Sequence, residues 1–290
     1  FSFSVPISLS RLINSLLLAL QAIIIPQRLQ AAGYTLRQAT ELYGQFTGIA
    51  LALLGIPTII TLSLSTTLVP ATSEALTMNN YPLLRARSIK ALQVSLIVGL
   101  PSAVVFFMLP KQLCQIIFNA PEAGIPLQVM ALGCICLYIA QTSGGILQGL
   151  GRTGITMWNS AAGAAANITF IYLLTGIPTY GVRGAAMAMN IGWAVIAALN
   201  LFFVAYLTGI SFDLYNFVLI PFLGSAVMGG ILYIVFLLLW SWTQNVIITT
   251  LGAVFSGGIA YGVYLIISGT INKEDIGRLP LIGNFSKLFG

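Results

Sequence analysis

An arginine stands inside the first apolar run of the chain, with polar residues around it at helical spacing. With Arg11 at zero and about 100° per residue, Ser4 falls near ~20°, Ser8 near ~60°, Ser15 near ~40°, Asn14 near ~300° and Gln21 near ~280°. These six residues share an arc of roughly 140°, while Leu12, Ile13, Leu16, Leu17 and Leu20 occupy the rest of the helix. An arginine at the centre of a membrane helix costs roughly 2.5–3.5 kcal/mol on insertion scales, so its place there needs a physical reason. One reading is a side chain that snorkels to nearby headgroups. The other is a guanidinium in a hydrated cavity, holding a phosphate or carboxylate through paired hydrogen bonds. The stripe of Ser, Asn and Gln continuing deeper into the run favours the cavity.

Two more runs carry polar stripes. Thr47, Thr58, Thr61, Ser65 and Thr72 fall within roughly 60° of one another at helical spacing. Such hydroxyls can line a cavity or bond back to their own helix. Further on, Thr156, Asn159, Ser160, Gly163 and Asn167 share a face, and Asn167 lies deep enough to need a partner. Asn190 and Asn200 are weaker candidates. The expected substrate-binding set is therefore Arg11 with Asn14, Ser15, Gln21, Thr58, Thr61, Ser65, Asn159 and Asn167.

The residues that are missing narrow the chemistry. There is no histidine, which removes histidine acid–base catalysis and zinc-protease motifs. The six carboxylates, Glu41, Glu74, Glu122, Asp213, Glu274 and Asp275, fall at the ends of apolar runs, in connections or in the tail. No carboxylate pair or cluster is spaced for glycosyl transfer, metal binding or proton carriage at membrane depth. Cys114, Cys134 and Cys136 lack metal-ligand spacing and read as apolar packing. The glycines at 144, 145, 149, 151 and 154 follow an apolar helix rather than a strand, which argues against a nucleotide loop. The expectation is a protein that is not an enzyme and uses no cofactor and no metal. Its interior is neutral or positive and suits an anionic ligand.

These residues must be positioned by membrane helices. Of the 290 residues, 58% are hydrophobic and 6% charged, against roughly 25% charged in ordinary soluble domains. Eighteen charges, 12 basic and 6 acidic, cannot cover a water-soluble globule, so soluble enzymes, disulfide scaffolds and disordered tails are excluded. A crossing helix needs about 20 mostly apolar residues. Eight runs qualify: Val5–Pro26, Phe46–Val69, Ala91–Leu109, Ile125–Leu147, Ile155–Thr175, Ala185–Leu207, Phe217–Trp240 and Val246–Ser268. The alternation of a membrane β-barrel is absent. The fold class is an all-α polytopic membrane bundle of about eight transmembrane helices.

The net charge of +6 follows the same plan. Basic residues fall singly or in threes between runs, which fits membrane topology and not a nucleic-acid face. The loops on the side of the two termini, with the tail, hold Arg85, Arg87, Lys90, Arg152, Lys273, Arg278 and Lys287; the opposite side holds Arg28, Arg37, Lys111 and Arg183. This bias predicts both termini in the cytoplasm. The chain starts at Phe1 in the middle of a run, without Met or a charged leader, the pattern of a piece of a longer protein.

Several stretches carry a family resemblance. Val5–Asn14 (VPISLSRLIN) is followed by Gly55–Ala75 (GIPTIITLSLSTTLVPATSEA) and the basic loop of Arg85, Arg87 and Lys90. Ile146–Gly154 (ILQGLGRTG), Tyr180–Asn190 (YGVRGAAMAMN) and Asn272–Gly283 (NKEDIGRLPLIG) continue the pattern. Together they resemble the second half of stage V sporulation protein B-like polysaccharide transporters, within the multidrug/oligosaccharidyl-lipid/polysaccharide flippase superfamily. The resemblance implies a fourteen-helix architecture of two six-helix lobes and an added pair. Residues 1–210 would be the second lobe and 211–290 the two additional helices with a short cytoplasmic tail. It further implies a bacterial cell-membrane flippase moving a lipid-linked anionic saccharide, such as a polysaccharide or peptidoglycan precursor, by alternating access. Its partners would be membrane lipids and the missing N-terminal lobe, with no nucleic acid. Lipid II flippases carry a cavity arginine early in the second of these helices, where Ile49–Leu54 is wholly apolar here. A cation-coupled multidrug exporter of the same superfamily and a non-transporting cell-wall or spore assembly protein are the alternatives.

Overall fold

The computed structural model describes residues 4–210 and 215–270. Among these, every regular element is helical. Helix α1 (Ser4–Ala31) leads to α2 (Leu36–Gly44), which passes through a π-helical stretch (Gln45–Ala50) into α3 (Leu51–Thr77). Then follow α4 (Tyr81–Met108), the short α5 (Pro110–Phe118), a 3-10 turn (Pro121–Ala123), α6 (Gly124–Gly149), α7 (Thr153–Thr175) and α8 (Val182–Thr208). A second π-helical stretch (Tyr215–Leu219), α9 (Ile220–Thr243) and α10 (Val246–Ile267) complete the order. Packing divides the chain into two compact units, Phe1–Phe212 and Asp213–Gly290.

Seven of the described helical segments are long and apolar enough to cross a membrane, which makes this a multi-pass membrane protein. Helix α7 does not join them on hydropathy, although its 23 residues would extend about 35 Å. Thr153, Thr156, Asn159, Ser160 and Asn167 dilute its apolar content. The second span is longer than the sequence pattern indicates, since Leu36–Thr77 is one apolar helical segment of 42 residues. Prolines do not end these helices: Pro26 lies inside α1, Pro57 and Pro70 inside α3, and Pro101 inside α4. A membrane helix tolerates the lost backbone bond when neighbouring groups satisfy the freed carbonyl.

Arg85, Arg87 and Lys90 belong to the first turns of α4, not to a loop. Asn80 starts that helix by accepting a hydrogen bond from the Leu83 amide at 3.0 Å, with Pro82 in the first turn. Arg87 donates to the Ala71 carbonyl at 2.6 Å and pairs with Glu74 at 3.0 Å. Arg85 donates to the Thr208 carbonyl at 2.7 Å, where it satisfies the end of α8. Arg28, likewise helical, lays its guanidinium 4.2 Å above the Tyr172 ring. Lys273, Arg278, Lys287, Asp213, Glu274, Asp275 and the Asn272–Gly283 motif lie outside the described residues.

Within the first unit α6 is the central helix, packed against α3, α4 and α8, and α7 joins α1 to α8. Small residues set the close contacts. A Cβ on Gly145 would run into Ser65, and one on Gly149 into Thr72 and the Val69 carbonyl. This is small-residue packing of the kind that lets membrane helices approach closely. In the Ala161–Ala166 run of α7, Gly163 makes such a contact, against Ile196 and the Gly192 carbonyl, while Ala162 and Ala165 are exposed. Cys114 and Cys134 are buried and Cys136 half-buried; burial pushes the Cys114 thiol up to about 11.

In the second unit α9 and α10 form a helical pair. Gly224 admits the rings of Tyr261 and Tyr264, and Asn245 caps α10 by accepting from the Ile247 and Ile248 amides.

Gly149 provides a direct test of the α3–α6 contact. Gly149→Val should lower stability by about 1–3 kcal/mol through overpacking, read as a lower thermal midpoint in detergent. Gly55→Ala, which meets open space, should leave the midpoint near that of the parent. Equal midpoints for the two variants would refute the close contact.

Candidate functional site

The polar faces of α1 and α7 meet at a cavity of about 500 Å³ inside the first unit. Helix α1 contributes Ser10, Arg11, Asn14 and Leu17; α3 contributes Leu62 and Ser65. From α6 come Gln141 and Gln148 with Leu137, Ala140 and Gly144, and from α7 come Thr156, Ser160, Gly163 and Asn167. Met189, Gly192, Trp193, Ile196 and Asn200 of α8 close the wall. Among the described residues that line the cavity, Arg11 is the one that carries a charge. The described carboxylates, Glu41, Glu74 and Glu122, are all exposed, and none lines the cavity. Among the described residues no three His, Cys, Asp or Glu side chains come together to hold a metal.

The expected site residues divide into three groups. Arg11, Asn14, Ser65 and Asn167 line the cavity together. Gln21 is buried behind it at 1% exposure; its Nε2 donates to Asn167 Oδ1 at 2.8 Å and contacts Met189 Sδ at 3.3 Å. Asn167 Nδ2 contacts the same sulfur at 3.3 Å. This amide–amide–thioether cluster ties α1 to α7 and α8, and it leaves Gln21 Oε1 buried without a partner. Thr58, Thr61, Ser15 and Asn159 are not on the cavity wall.

Local bonding explains those departures. Thr58 Oγ1 donates back to the Leu54 carbonyl at 2.9 Å. Thr61 Oγ1 turns to Gln141 Oε1 at 2.6 Å, and Ser65 Oγ donates to the Gln141 carbonyl at 2.9 Å. The hydroxyl stripe of α3 therefore faces α6, and only Ser65 also reaches the cavity. Ser15 is exposed. Asn159 Nδ2 donates to Asn200 Oδ1 at 2.8 Å, and Asn200 Nδ2 donates to the Ala140 carbonyl at 3.1 Å. Asn190 donates to the Val129 carbonyl at 2.7 Å instead of entering the cavity.

Gln141 and Gln148 are the lining residues that pattern reasoning missed. They lie in a long apolar run with no polar stripe of their own. The available signal was the adjacency of Gln141 to Thr142 and Ser143, a polar triplet in the last third of α6. Thr142 Oγ1 meets Ser95 Oγ at 2.6 Å within the core.

Membrane-length helices thus surround a polar cavity whose described lining carries one cation. In comparison with known proteins, the MatE family matches residues 47–173, less than half of the chain. The fold is shared with a solved lipid II flippase MurJ in an inward closed conformation, at TM-score 0.64 and 19% identity over 79% of this chain and 46% of that one. It is also shared with an outward-facing multidrug resistance MATE family transporter of the MOP superfamily, at TM-score 0.57 and 17% identity over 91% and 64% of the two chains. At these identities the two solved structures share this chain's fold.

Among curated proteins, Stage V sporulation protein B of Bacillus subtilis (strain 168) is 29% identical over 97% of this chain and 54% of its own length. The resemblance carried by the motifs is thereby borne out. The chain spans about half the length of the curated relatives it matches.

The Gln21–Asn167 contact predicts a measurable coupling. Gln21→Ala and Asn167→Ala should each destabilise the protein. A double-mutant cycle should return a coupling of about 0.6–2 kcal/mol, measured by unfolding in detergent. Strict additivity would show that the two amides do not act as a pair.

Proposed function

We propose that this chain forms the substrate-facing half of a flippase that moves an anionic, lipid-linked saccharide across the bacterial cell membrane by alternating access. The observation that carries this reading is the cavity wall: one guanidinium, several neutral hydrogen-bonding groups and no carboxylate. A diphosphate linking sugar to lipid would offer oxygens to both sides of the Arg11 fork. Asn14, Gln141, Gln148, Ser160 and Asn167 would then hydrogen-bond to sugar hydroxyls. Gln21 and Asn159, behind the wall, act by holding Asn167 and Asn200 in place. A cation-coupled exporter of positively charged drugs would need a carboxylate at membrane depth, and no described residue provides one.

In this reading residues 1–210 are the second six-helix lobe, 211–290 the added pair, and a preceding lobe completes the pathway. Both termini of the segment face the cytoplasm. The bundle sorts the described basic residues of the helix ends into two groups of four, so the excess on which the sidedness rests is that of Lys273, Arg278 and Lys287 in the sequence. Arg85, Arg87, Lys90 and Arg152 start α4 and α7. Arg28, Arg37, Lys111 and Arg183 sit at the end of α1 and the starts of α2, α5 and α8.

Two experiments bear on these statements. In the complete protein, Arg11→Ala should abolish complementation of a null strain without changing membrane abundance. Losing a charge-assisted hydrogen bond should weaken cargo binding by roughly 10–100-fold, and Arg11→Lys should recover only part of it. Full activity of Arg11→Ala would make the residue a snorkelling anchor and end the site assignment. For sidedness, Arg37→Cys should react with an impermeant maleimide in whole cells and Thr77→Cys only after lysis. The reverse result would invert the topology.

A further inference from the structure

The tight connection from α6 to α7 opens a second cavity, of about 370 Å³, that the transport reading does not use. Its wall includes Arg152, Gly154, Trp158 and Asn159 of the α7 end and Phe203 of α8. Arg152 is exposed and stands at the N-cap of α7 without a side-chain capping bond. The sole ion pair among the described residues, Arg87 with Glu74, does not involve it. The Ile155 amide already donates to the Arg152 carbonyl at 3.0 Å, which leaves the Thr153 and Gly154 amides without an intrahelical acceptor, and together with the guanidinium these favour a bound anion. At Gly154 a Cβ would meet nothing within 4 Å, so the space in front of these donors is open.

Two further observations point to a ligand of mixed character. Asn159 lines the pocket at 4% exposure, with its Nδ2 committed to Asn200. Among the described residues no donor meets its amide oxygen, which is the acceptor it can offer to a hydroxyl. Beside it, Trp158 is 71% exposed, and Phe203 stacks edge-on to Phe202 with centroids 5.4 Å apart. Phe202 in turn stacks on Tyr206 at 6.4 Å. Exposed aromatic rings of this kind mark the headgroup level of a bilayer. Trp158 lies six residues beyond Arg152, about 9 Å along the helix, so a ligand held at Arg152 places its apolar part against the indole.

We propose that this pocket binds an anionic phospholipid of the surrounding bilayer. The phosphate sits on Arg152 and the first amides of α7, a headgroup hydroxyl donates to Asn159, and an acyl chain lies along Trp158 and Phe203. The site is separate from the central cavity, since Asn200 lines one and Asn159 the other, and it stands whether or not the central cavity carries cargo.

Tryptophan quenching in reconstituted full chain tests this. Phosphatidylglycerol with brominated acyl chains is compared with brominated phosphatidylcholine, and the Trp158 signal is taken as the difference between the parent and Trp158→Phe. The expected result is an about fivefold preference for phosphatidylglycerol at Trp158, lost in Arg152→Gln and in Gly154→Leu, which fills the pocket from α7. Both variants should keep the parent thermal midpoint; if Arg152→Gln does not fold, Gly154→Leu carries the test, and the two-lipid comparison on the parent needs neither. Equal quenching by the two lipids overturns the proposal, as does a preference that survives in folded Arg152→Gln. Displacement of the preference by inorganic phosphate would assign the pocket to the free ion and overturn the lipid.

Discussion

No side chain at membrane depth can rely on bulk water, and this constraint organises the first unit. Polar side chains there find a partner on another helix, or face the cavity, or bond back to their own helix as Thr58 does. Ser95 with Thr142, Thr61 with Gln141 and Asn159 with Asn200 take the first course. Arg11, Asn14 and Gln148 take the second. The glycines follow from the same requirement. For Ser65 to reach a backbone carbonyl of α6, the two helices must approach closely, and Gly145 and Gly149 leave that room. Packing and polarity are one problem here, because a hydroxyl short of its partner would be stranded in an apolar interior.

Helical periodicity made the faces legible and left their neighbours unknown. For α1 this sufficed: the arc that contains Arg11 and Asn14 opens onto the cavity, while Leu12, Leu16 and Leu20 are exposed on the other side. For α3 it did not. Thr58 and Thr61 share a face as the spacing requires, yet Thr61 turns its hydroxyl to Gln141 of α6 and Thr58 bonds back to Leu54 of its own helix. A stripe has the same pattern whether it borders water or another helix. Gln141 shows the converse, since a single amide in an apolar run has no period to betray it. Helix ends were misplaced for a related reason. Pro26 and the charges of α4 read as boundaries, but the bonds that permit the helix to continue come from elsewhere in the fold, as Arg85 with the end of α8 shows.

The two cavities divide the basic residues by task. Arg11, exposed on α1, stands among neutral amides and hydroxyls at the central cavity, whereas Arg152 stands among aromatic rings at a helix start. The Asn159–Asn200 bond lies between them, so the wall of each is braced by a residue of the other. A change in the separation of α7 and α8 would alter both together. The neutral cluster of Gln21, Asn167 and Met189 holds the same helices to α1 without any ionic contact.

The makeup of the central wall has a consequence for its response to acidity. Apart from Arg11, the described residues that line it include no His, Asp, Glu, Lys, Cys or Tyr. Without an imidazole or a carboxylate among them, this part of the wall lacks the groups that change charge between mild acid and mild alkali. An acidity dependence of binding there would come from what is bound or from groups beyond these residues.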